Sequence, residues 1–302
     1  MSGDLTSYIA ARKKELNALI LAHYYQLPEI QDCADFVGDS LQLARRAKEA
    51  EEEIIVCCGV HFMAESAKIL NPDKTVLIPE VKAGCPMADM VTPEKLREKK
   101  ALYGEPVVVC YVNSSAAVKA ESDICCTSSN ALEVVRSIPE GRDILFVPDC
   151  NLGAFVAQKT GRELILWEGY CPVHHVLTWK EVEEQKKLHP EAEVVVHPEC
   201  PVEVTEKADA VRSTAGILKY VQESPKKEFI IGTEAGFLYT LHRHCPDKKF
   251  YLARPEFTCA DMKLITLEKL ALALEKLQYE VVVPEDIREK AYQALEKMIA
   301  IG

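Results

Sequence analysis

The sequence predicts an α/β protein made of three similar units, each with a short parallel sheet covered by helices. Two observations support this prediction: apolar runs alternate with helical patterns, and landmark residues recur at a nearly constant interval. The clearest landmarks are Cys85, Cys171 and Cys259, which lie 86 and 88 residues apart. With 302 residues and 48% hydrophobic content, the chain can bury the cores of three pseudo-symmetric, three-layer αβα domains.

The strands are predicted from apolar runs, and the run that opens each unit ends in a polar residue. These first runs end at His23, Tyr111 and His197, and their continuous apolar character is typical of buried parallel strands. The predicted second strands are Glu53–Cys57, Ile144–Val147 and Glu228–Ile231. The predicted third strands are Thr75–Ile78, Glu163–Leu166 and Lys249–Leu252. Ligands bind beyond the carboxyl ends of such strands, so we expect the three sheets to share a central site.

Two further landmarks keep the same register. An aspartate lies twelve residues after the end of each first strand, at Asp35, Asp123 and Asp209. A threonine that can cap a helix lies seven residues after each of the three cysteines, at Thr92, Thr178 and Thr266. Thr178 and Glu181 form a capping-box pattern, and a proline follows Thr92 at the first helical position. Agreement at several landmarks argues against chance similarity between the units.

The predicted domain boundaries follow this register. The domains are 1–91, 92–177 and 178–265, and residues 266–302 are expected to pack back onto the first domain. We expect an amphipathic helix over about Thr6–Asn17 at the amino terminus. Near the carboxyl terminus we expect a helix from Thr266, a strand at Tyr279–Val283 and a last helix that Pro284 begins.

Charge and hydropathy restrict the partners of the chain. The formal net charge of −11, without a lysine- or arginine-rich tract, disfavours nucleic acid and anionic membranes. The amino-terminal segment lacks the pattern of a signal peptide, and no apolar run reaches the roughly 18 residues of a membrane-spanning helix. We therefore expect a cytoplasmic protein whose twelve cysteines are reduced, buried, catalytic or metal-bound, and seldom in disulfides.

One thiol from each unit can meet the other two at a common centre. Soft thiolates hold iron–sulfur clusters, so Cys85, Cys171 and Cys259 are predicted to bind one [4Fe–4S] cluster per chain, with one iron left open for substrate. Structural zinc is less favoured because it takes four protein ligands, usually in closely spaced pairs. The remaining alternative is three buried structural cysteines, which the shared register disfavours.

Polar residues after the three first strands predict a substrate pocket. The pairs at matching positions are His23 with Tyr25, Tyr111 with Asn113, and His197 with Glu199. Hydroxyl residues are predicted where the next helix of each unit begins, at Ser40, Ser128 and Thr214. There a hydroxyl and free backbone N–H groups can hold a carboxylate or phosphate, although simple N-capping is the alternative role.

The other cysteines share no repeat position as a set; they are Cys33, Cys57, Cys58, Cys110, Cys125, Cys126, Cys150, Cys200 and Cys245. We expect the adjacent pairs at 57–58 and 125–126 to pack in the core. Cys200 directly follows Glu199 and could instead line the pocket. The sequence contains no phosphate loop, dinucleotide-binding motif or Ser-His-Asp signature, which disfavours ATP, NAD as a cofactor and serine hydrolysis.

Taken together, segments along the whole chain resemble the quinolinate synthase (quinolinate synthetase A) family. The segments are His23-Tyr-Tyr-Gln26, Gly38-Asp-Ser40, Val60-His-Phe-Met-Ala-Glu65, Gly84-Cys-Pro-Met87, Tyr111-Val-Asn113, Thr127-Ser-Ser-Asn130, Pro148-Asp149, Leu152-Gly153, Gly169-Tyr-Cys-Pro-Val-His174, His197-Pro-Glu-Cys-Pro201, Ser213-Thr214 and Cys259-Ala-Asp-Met-Lys263. The resemblance implies three αβα domains around a [4Fe–4S] cluster. It also implies the condensation of iminoaspartate with dihydroxyacetone phosphate to quinolinate in de novo NAD biosynthesis.

The same resemblance implies roles for individual residues. The cluster ligands would be Cys85, Cys171 and Cys259. The residues around the substrate would be His23, Ser40, Tyr111, Asn113, Ser128, His174, His197, Glu199, Ser213 and Thr214. Tyr25 is similar to a family tyrosine that handles the triose, and the expected acid–base groups are Glu199, Tyr25, Tyr111, His23 and His197. Because no net redox change is required, the cluster would act as a Lewis acid. L-aspartate oxidase or aspartate dehydrogenase would supply iminoaspartate.

Two other interpretations remain at this point. A diphthamide-forming radical enzyme also gathers one cysteine from each of three domains, but it cleaves S-adenosylmethionine. The segments around Cys171 and Cys200 favour quinolinate synthase over that enzyme. An iron–sulfur sensor or scaffold would need a partner surface or a nucleic-acid-binding module, and the sequence shows neither.

Overall fold

The computed structural model describes residues 2–301 and contains three four-stranded parallel sheets. The strands of the first sheet are β1 (Ala18–His23), β2 (Phe36–Gly38), β3 (Ile54–Cys58) and β4 (Thr75–Leu77). Those of the second are β5 (Val107–Tyr111), β6 (Ile124–Cys126), β7 (Ile144–Val147) and β8 (Ile165–Leu166). Those of the third are β9 (Glu193–Val196), β10 (Ala210–Val211), β11 (Glu228–Gly232) and β12 (Lys249–Leu252).

All three sheets share one strand order. The second strand of each unit lies at the edge, next to the first, and the third and fourth follow on the other side: β2-β1-β3-β4, β6-β5-β7-β8 and β10-β9-β11-β12. Every pairing within the sheets is parallel, as the continuous apolar runs predict. The prediction of three short parallel sheets covered by helices is therefore confirmed.

Helices connect the strands and cover the sheets. Those up to β4 are α1 (Ser2–Glu15), α2 (Pro28–Cys33), α3 (Ser40–Lys48) and α4 (His61–Leu70). The next are α5 (Pro93–Leu102), α6 (Ala116–Ala120), α7 (Ala131–Ser137), α8 (Cys150–Thr160) and α9 (Pro172–His175). The remainder are α10 (Trp179–Leu188), α11 (Val202–Lys207), α12 (Thr214–Glu223), α13 (Phe237–His244), α14 (Leu267–Lys276) and α15 (Glu285–Ala300). None of the described helices combines the length and apolar character that crossing a membrane requires.

The aspartates in the repeat register fasten the edge of each sheet. Asp35 accepts a hydrogen bond from the backbone N–H of Ile20 over 2.8 Å. Asp123 accepts one from Val108 over 2.8 Å, and Asp209 accepts one from Val194 over 2.7 Å. In each unit the bond joins the residue before the edge strand to the strand beside it, so the aspartate holds the crossover in place.

The threonines in the register are N-caps. The hydroxyl oxygens of Thr92, Thr178 and Thr266 each accept a hydrogen bond, over 3.4 Å, from the backbone N–H three residues further on. They begin α5, α10 and α14, which supports the sequence assignment of all three helix starts. Thr178 and Glu181 complete the predicted capping box.

Some predicted elements differ from the structure. The second strands β2, β6 and β10, of two or three residues each, were not predicted, and β8 begins at Ile165 rather than at the predicted Glu163. The predicted strand at Tyr279–Val283 is wrong, since only Glu280 forms an isolated antiparallel bridge, to Leu77 on the edge of the first sheet. The first helix ends at Glu15 rather than at Asn17, whose φ of 48° lies in the left-handed region.

The carboxyl-terminal segment packs in two places. Leu267, Leu270 and Leu274 of α14 belong to the core of the first sheet, and α14 lies against α1. Helix α15 instead packs against α6 and β6 as well as α3 and α4. The side-chain amide of Asn130 donates to the carbonyl oxygens of Met298 and Ile301 over 3.0 and 2.8 Å. The end of the chain thus contacts the first and the second sheet units.

Candidate active site and metal centre

One cavity of about 340 Å³ lies beyond the carboxyl ends of the strands and is lined from all three units. The predicted site residues in its wall are His23, Tyr25, Ser40, Cys85, Tyr111, Asn113, Ser128, Cys171, His174, His197, Glu199, Thr214 and Cys259. The repeat register therefore brings together residues that are far apart in sequence. The volume falls in the range of small-molecule sites.

Two of the singled-out residues lie outside the cavity wall. Ser213 is the N-cap of α12, and its hydroxyl accepts a hydrogen bond from the backbone N–H of Gly216 over 3.1 Å. The same hydroxyl lies 2.7 Å from that of Ser129. Cys200 is fully buried, and its thiol points at the carbonyl oxygen of Gly232 over 3.5 Å. Cys200 thus packs beneath the site rather than lining it.

The three repeated cysteines share one local geometry. Each precedes a short helical turn: Ala88–Met90 after Cys85, α9 after Cys171, and Asp261–Leu264 after Cys259. In each case the backbone N–H three residues further on, of Ala88, His174 or Met262, acts to lower the pKa of the thiol. N–H groups directed at sulfur favour its anionic form, which is the form that binds metals.

Burial nevertheless keeps these thiols protonated while no cation is near. Desolvation raises the pKa of Cys85 to about 12 and that of Cys259 to about 11, and it raises the pKa of Cys171 well above its usual value. The backbone hydrogen bonds oppose this effect without cancelling it. A metal centre would supply the missing positive charge, so the three thiols fit a metal that prefers soft sulfur ligands.

A second group of possible metal ligands overlaps the first at Cys171. Donor atoms of Cys171, His174 and Glu199 all lie within 4.8 Å of one another. Nδ1 of His174 is 3.2 Å from the Cys171 sulfur and 2.7 Å from Oε2 of Glu199. The shorter distance is that of a charge-assisted hydrogen bond, so Nδ1 of His174 and Oε2 of Glu199 are already paired with each other.

Glu199 is the buried charge at the centre of the polar wall. The Tyr111 hydroxyl donates to its Oε1 over 2.6 Å, and Nδ1 of His197 lies 3.5 Å from its Oε2. Burial alone would raise the pKa of Glu199, but the imidazoles of His197 and His174 and the Tyr111 hydroxyl hold it below its usual range. Glu199 is therefore an ionised carboxylate with one strong donor on each oxygen.

Two imidazoles and two phenols in the wall are neutral near pH 7. Burial lowers the pKa of His23 and of His197 to about 3. Burial also raises the pKa of Tyr25 and of Tyr111 well above 10. The site thus places neutral imidazoles and protonated phenols around the Glu199 carboxylate, an arrangement that can pass protons to and from a bound substrate.

Thr233 joins the network and was not predicted from the sequence. Its hydroxyl oxygen, fully buried just after β11, lies 2.6 Å from the Tyr25 hydroxyl and 2.9 Å from Nε2 of His174. Tyr25 is thereby linked through Thr233 and His174 to Glu199. A sequence signal exists, because the polar pair Thr233 and Glu234 directly follows β11, but the predicted pocket drew its polar pairs from the first strand of each unit.

The hydroxyl residues at the helix starts differ from one another. Ser40 and Thr214 are the first residues of α3 and α12, whose N-caps are Asp39 and Ser213. Because Asp39 and Ser213 cap the two helices, the hydroxyls of Ser40 and Thr214 are not required for capping. Ser128 lies before the start of α7, and its hydroxyl is 3.2 Å from Nε2 of His197.

The cavity wall offers neutral rather than cationic groups to an anion. Among residues 2–301, none of the side chains in the wall belongs to a lysine or an arginine. The side-chain oxygen of Asn113, also in the wall, is buried without a hydrogen-bond partner in the described part of the chain. Because buried polar atoms are rarely left unpaired, this oxygen is a candidate acceptor for a ligand N–H or O–H.

Three parallel sheets that contribute thiols, imidazoles and a buried carboxylate to one cavity define an α/β enzyme with side chains able to hold a metal. The family model described as Quinolinate synthetase A protein matches residues 7–300, and the chain belongs to that family.

Full-length relatives agree with the family match. The quinolinate synthase of Desulforudis audaxviator is 55% identical over 301 residues, covering 100% of this chain and 99% of the relative. That of Methanosarcina barkeri is 53% identical over 298 residues, covering 99% and 98%, and that of Dehalococcoides mccartyi is 55% identical over the whole of both chains. These matches support an enzyme of this kind, with a family role in NAD biosynthesis, and do not support the radical S-adenosylmethionine alternative.

Proposed function

We propose that the chain condenses iminoaspartate with dihydroxyacetone phosphate, giving quinolinate, phosphate and water in de novo NAD biosynthesis. One observation carries the proposal: three thiols from three units, each just before a short helical turn, line the same cavity as the Glu199 network. Family membership over the whole chain agrees with it.

Cys85, Cys171 and Cys259 would hold a [4Fe–4S] cluster between the three αβα domains. They fit it by donor type, by their equivalent positions before a short helical turn, and by burial that favours a compensating cation. When bound, the cluster supplies a Lewis acid that polarises a substrate oxygen. The proposed domains are 1–91, 92–177 and 178–265. Residues 266–302 are proposed to complete the first domain through α14, while α15 packs on both the first and the second.

Substrate carboxylates and phosphate would be held by neutral donors. The hydroxyls of Ser40 and Thr214 line the cavity at the starts of α3 and α12, where backbone N–H groups and the helix dipole favour negative charge. Ser128 adds a third hydroxyl, and Asn113 adds an amide with an unused acceptor. Together these groups explain how an acidic chain can bind anionic substrates.

Glu199 would act as the main base, because it is the ionised carboxylate of the network, and the donors on its two oxygens fix its orientation. Tyr111 would position the substrate and stabilise negative charge through its hydroxyl. Tyr25 would act on the triose, with its hydroxyl set by Thr233. His23 and His197, held neutral by burial, would take part by hydrogen-bonding to the reacting groups, and His174 would orient the carboxylate of Glu199.

The enzyme is proposed to work in the cytoplasm on small molecules. Iminoaspartate would come from an oxidation of aspartate, through L-aspartate oxidase or aspartate dehydrogenase. Neither nucleic acid nor a membrane is proposed as a partner.

The test is product formation by the anaerobically reconstituted chain. Supplied with dihydroxyacetone phosphate and freshly generated iminoaspartate, it should release quinolinate and phosphate in equal amounts. Omitting either substrate is the control and should give no quinolinate. A fully reconstituted chain that forms no quinolinate from both substrates would refute the proposed reaction.

A further inference from the structure

The loop that carries each repeated cysteine is anchored by the same backbone contact in all three units. The N–H groups of His61, Cys150 and Ala235 donate to the carbonyl oxygens of Ala83, Gly169 and Phe257, over 2.8, 2.8 and 2.7 Å. Each acceptor lies two residues before a cysteine, and each donor lies just beyond the end of the third strand of its unit. The contact makes Val60, Asp149 and Glu234, the residues before the three donors, structurally equivalent.

Two of these three equivalent positions carry a buried carboxylate that reaches the cysteine itself. The backbone N–H of Cys171 donates to Oδ2 of Asp149 over 3.0 Å. The backbone N–H of Cys259 donates to Oε1 of Glu234 over 3.1 Å. Asp149 and Glu234 are both fully buried. The first unit has the apolar Val60 in this place, so the two carboxylates do not form a threefold repeat in the sequence.

Each carboxylate also forms a hydrogen bond or an ion pair with a second part of the site. Oδ1 of Asp149 caps α8 by accepting from the N–H of Leu152 over 2.7 Å. Glu234 lies 2.9 Å from the ammonium of Lys263, which also donates to the carbonyl oxygen of Tyr25. The cysteine loops are thus tied on one side to a helix start and on the other to the loop that carries Tyr25.

We infer that Asp149 and Glu234 are positioning residues that fix the Cys171 and Cys259 loops and so hold these thiols ready for the metal centre. The inference rests on the proposed cluster site. Groups that orient metal ligands typically contribute a factor of roughly 10 to 100 to metal retention. Neither residue needs to touch the metal or the substrate for this role.

The test compares Asp149→Asn and Glu234→Gln with Asp123→Asn, a matched control. Asp123 also accepts a backbone N–H, from Val108, but it lies in an edge loop that carries no cysteine of the site. Asparagine caps helices as well as aspartate does, so Asp149→Asn keeps the start of α8 while its single oxygen can no longer serve both N–H groups. Asp149→Ser, which also retains a capping oxygen, provides a second variant with the same expected result.

The measurement is the rate at which the anaerobically reconstituted proteins lose iron to a ferrous chelator, well below their unfolding temperatures. We expect release to be roughly 10- to 100-fold faster in Asp149→Asn, Asp149→Ser and Glu234→Gln, with Asp123→Asn matching the parent. Variants that unfold at lower temperature yet release iron like the parent would show a structural role only and overturn the inference. A parent chain that takes up no iron would instead overturn the cluster assignment, and this inference with it.

Discussion

At the scale of the residue, individual side chains of the cavity have different roles from the residues next to them in sequence. Glu199 is the carboxylate on which Tyr111, His174 and His197 converge. Asp39 and Ser213 are the N-caps of α3 and α12, so the hydroxyls of Ser40 and Thr214 are not needed for capping. Chemistry, substrate binding and stability can therefore be separated by single substitutions.

Glu199→Gln should retain the cluster and lose nearly all turnover. The amide keeps the shape of the side chain but removes the base, and the loss should exceed the roughly 10²- to 10⁴-fold typical of one acid–base group if Glu199 has two duties. Anaerobic steady-state kinetics on protein with measured iron content give the answer. A near-normal kcat would exclude Glu199 from the chemistry.

Tyr111→Phe should be a milder change than Glu199→Gln. It removes one hydrogen bond to a charged group, worth about 1.5–3 kcal/mol, or roughly 10- to 150-fold in rate or affinity. The same kinetic measurement compares the two variants. A larger loss in Tyr111→Phe than in Glu199→Gln would reverse the roles assigned to them.

Ser40→Ala and Thr214→Ala should weaken quinolinate binding and leave stability nearly unchanged. Ser213→Ala is the matched control, because it removes a cap oxygen and should lower the free energy of unfolding by about 0.5–2 kcal/mol. Quinolinate binding and thermal unfolding are measured on all three proteins. Unchanged affinity in both cavity variants would leave these two hydroxyls without a binding role.

The site residues that repeat in the three units could be predicted from the sequence. The roles of Thr233 and Asp149, which do not repeat, could not. His23, Tyr111 and His197 end equivalent strands, so periodicity alone places them together. Thr233 follows the third strand of its unit rather than the first, and its role depends on the Tyr25 hydroxyl and the His174 imidazole that it bridges. The sequence around Asp149 indicates only a helix N-cap. The hydrogen bond from the Cys171 N–H to its second oxygen is visible only in the structure.

At the scale of the element, the first, third and fourth strands of each unit were predictable, and the short second strands were not. The strands β7 and β12 match their predicted bounds, whereas β10 has only two residues. What holds such short edges is the aspartate before each of them, which ties the crossover to the neighbouring strand. The landmark was visible in the sequence, but its function required the hydrogen bond.

Asp123→Ala should therefore destabilise the fold without affecting the metal site. It leaves the backbone N–H of Val108 without its acceptor, at a cost of about 1–3 kcal/mol in the free energy of unfolding. Chemical denaturation of the apo protein measures the loss, and iron content after reconstitution should match the parent. An unchanged stability would mean that the crossover does not depend on this bond.

At the scale of the whole molecule, three sheets of one strand order deliver one cysteine each to a shared cavity. The interval between the cysteines was enough to predict this convergence. The place of α15 was not predictable, because its apolar face fits more than one unit and in the structure it contacts both the first and the second.

Air should inactivate the enzyme, because an iron without a protein thiolate is open to oxidants through the substrate cavity. Loss of activity is expected to run in parallel with loss of visible cluster absorbance. Protein kept under nitrogen for the same time is the control. Full activity after complete bleaching would rule out the Lewis-acid role.

The central claim is that one cysteine from each unit binds the cluster, and the most direct measurement is the iron and sulfide content of five alanine variants purified without oxygen. Replacing Cys85, Cys171 or Cys259 should abolish cluster assembly, with the loss of visible absorbance. Replacing Cys33 or Cys245, buried cysteines outside the cavity wall, should leave iron and sulfide at the level of the parent. Equal cluster content in all five variants would contradict the account.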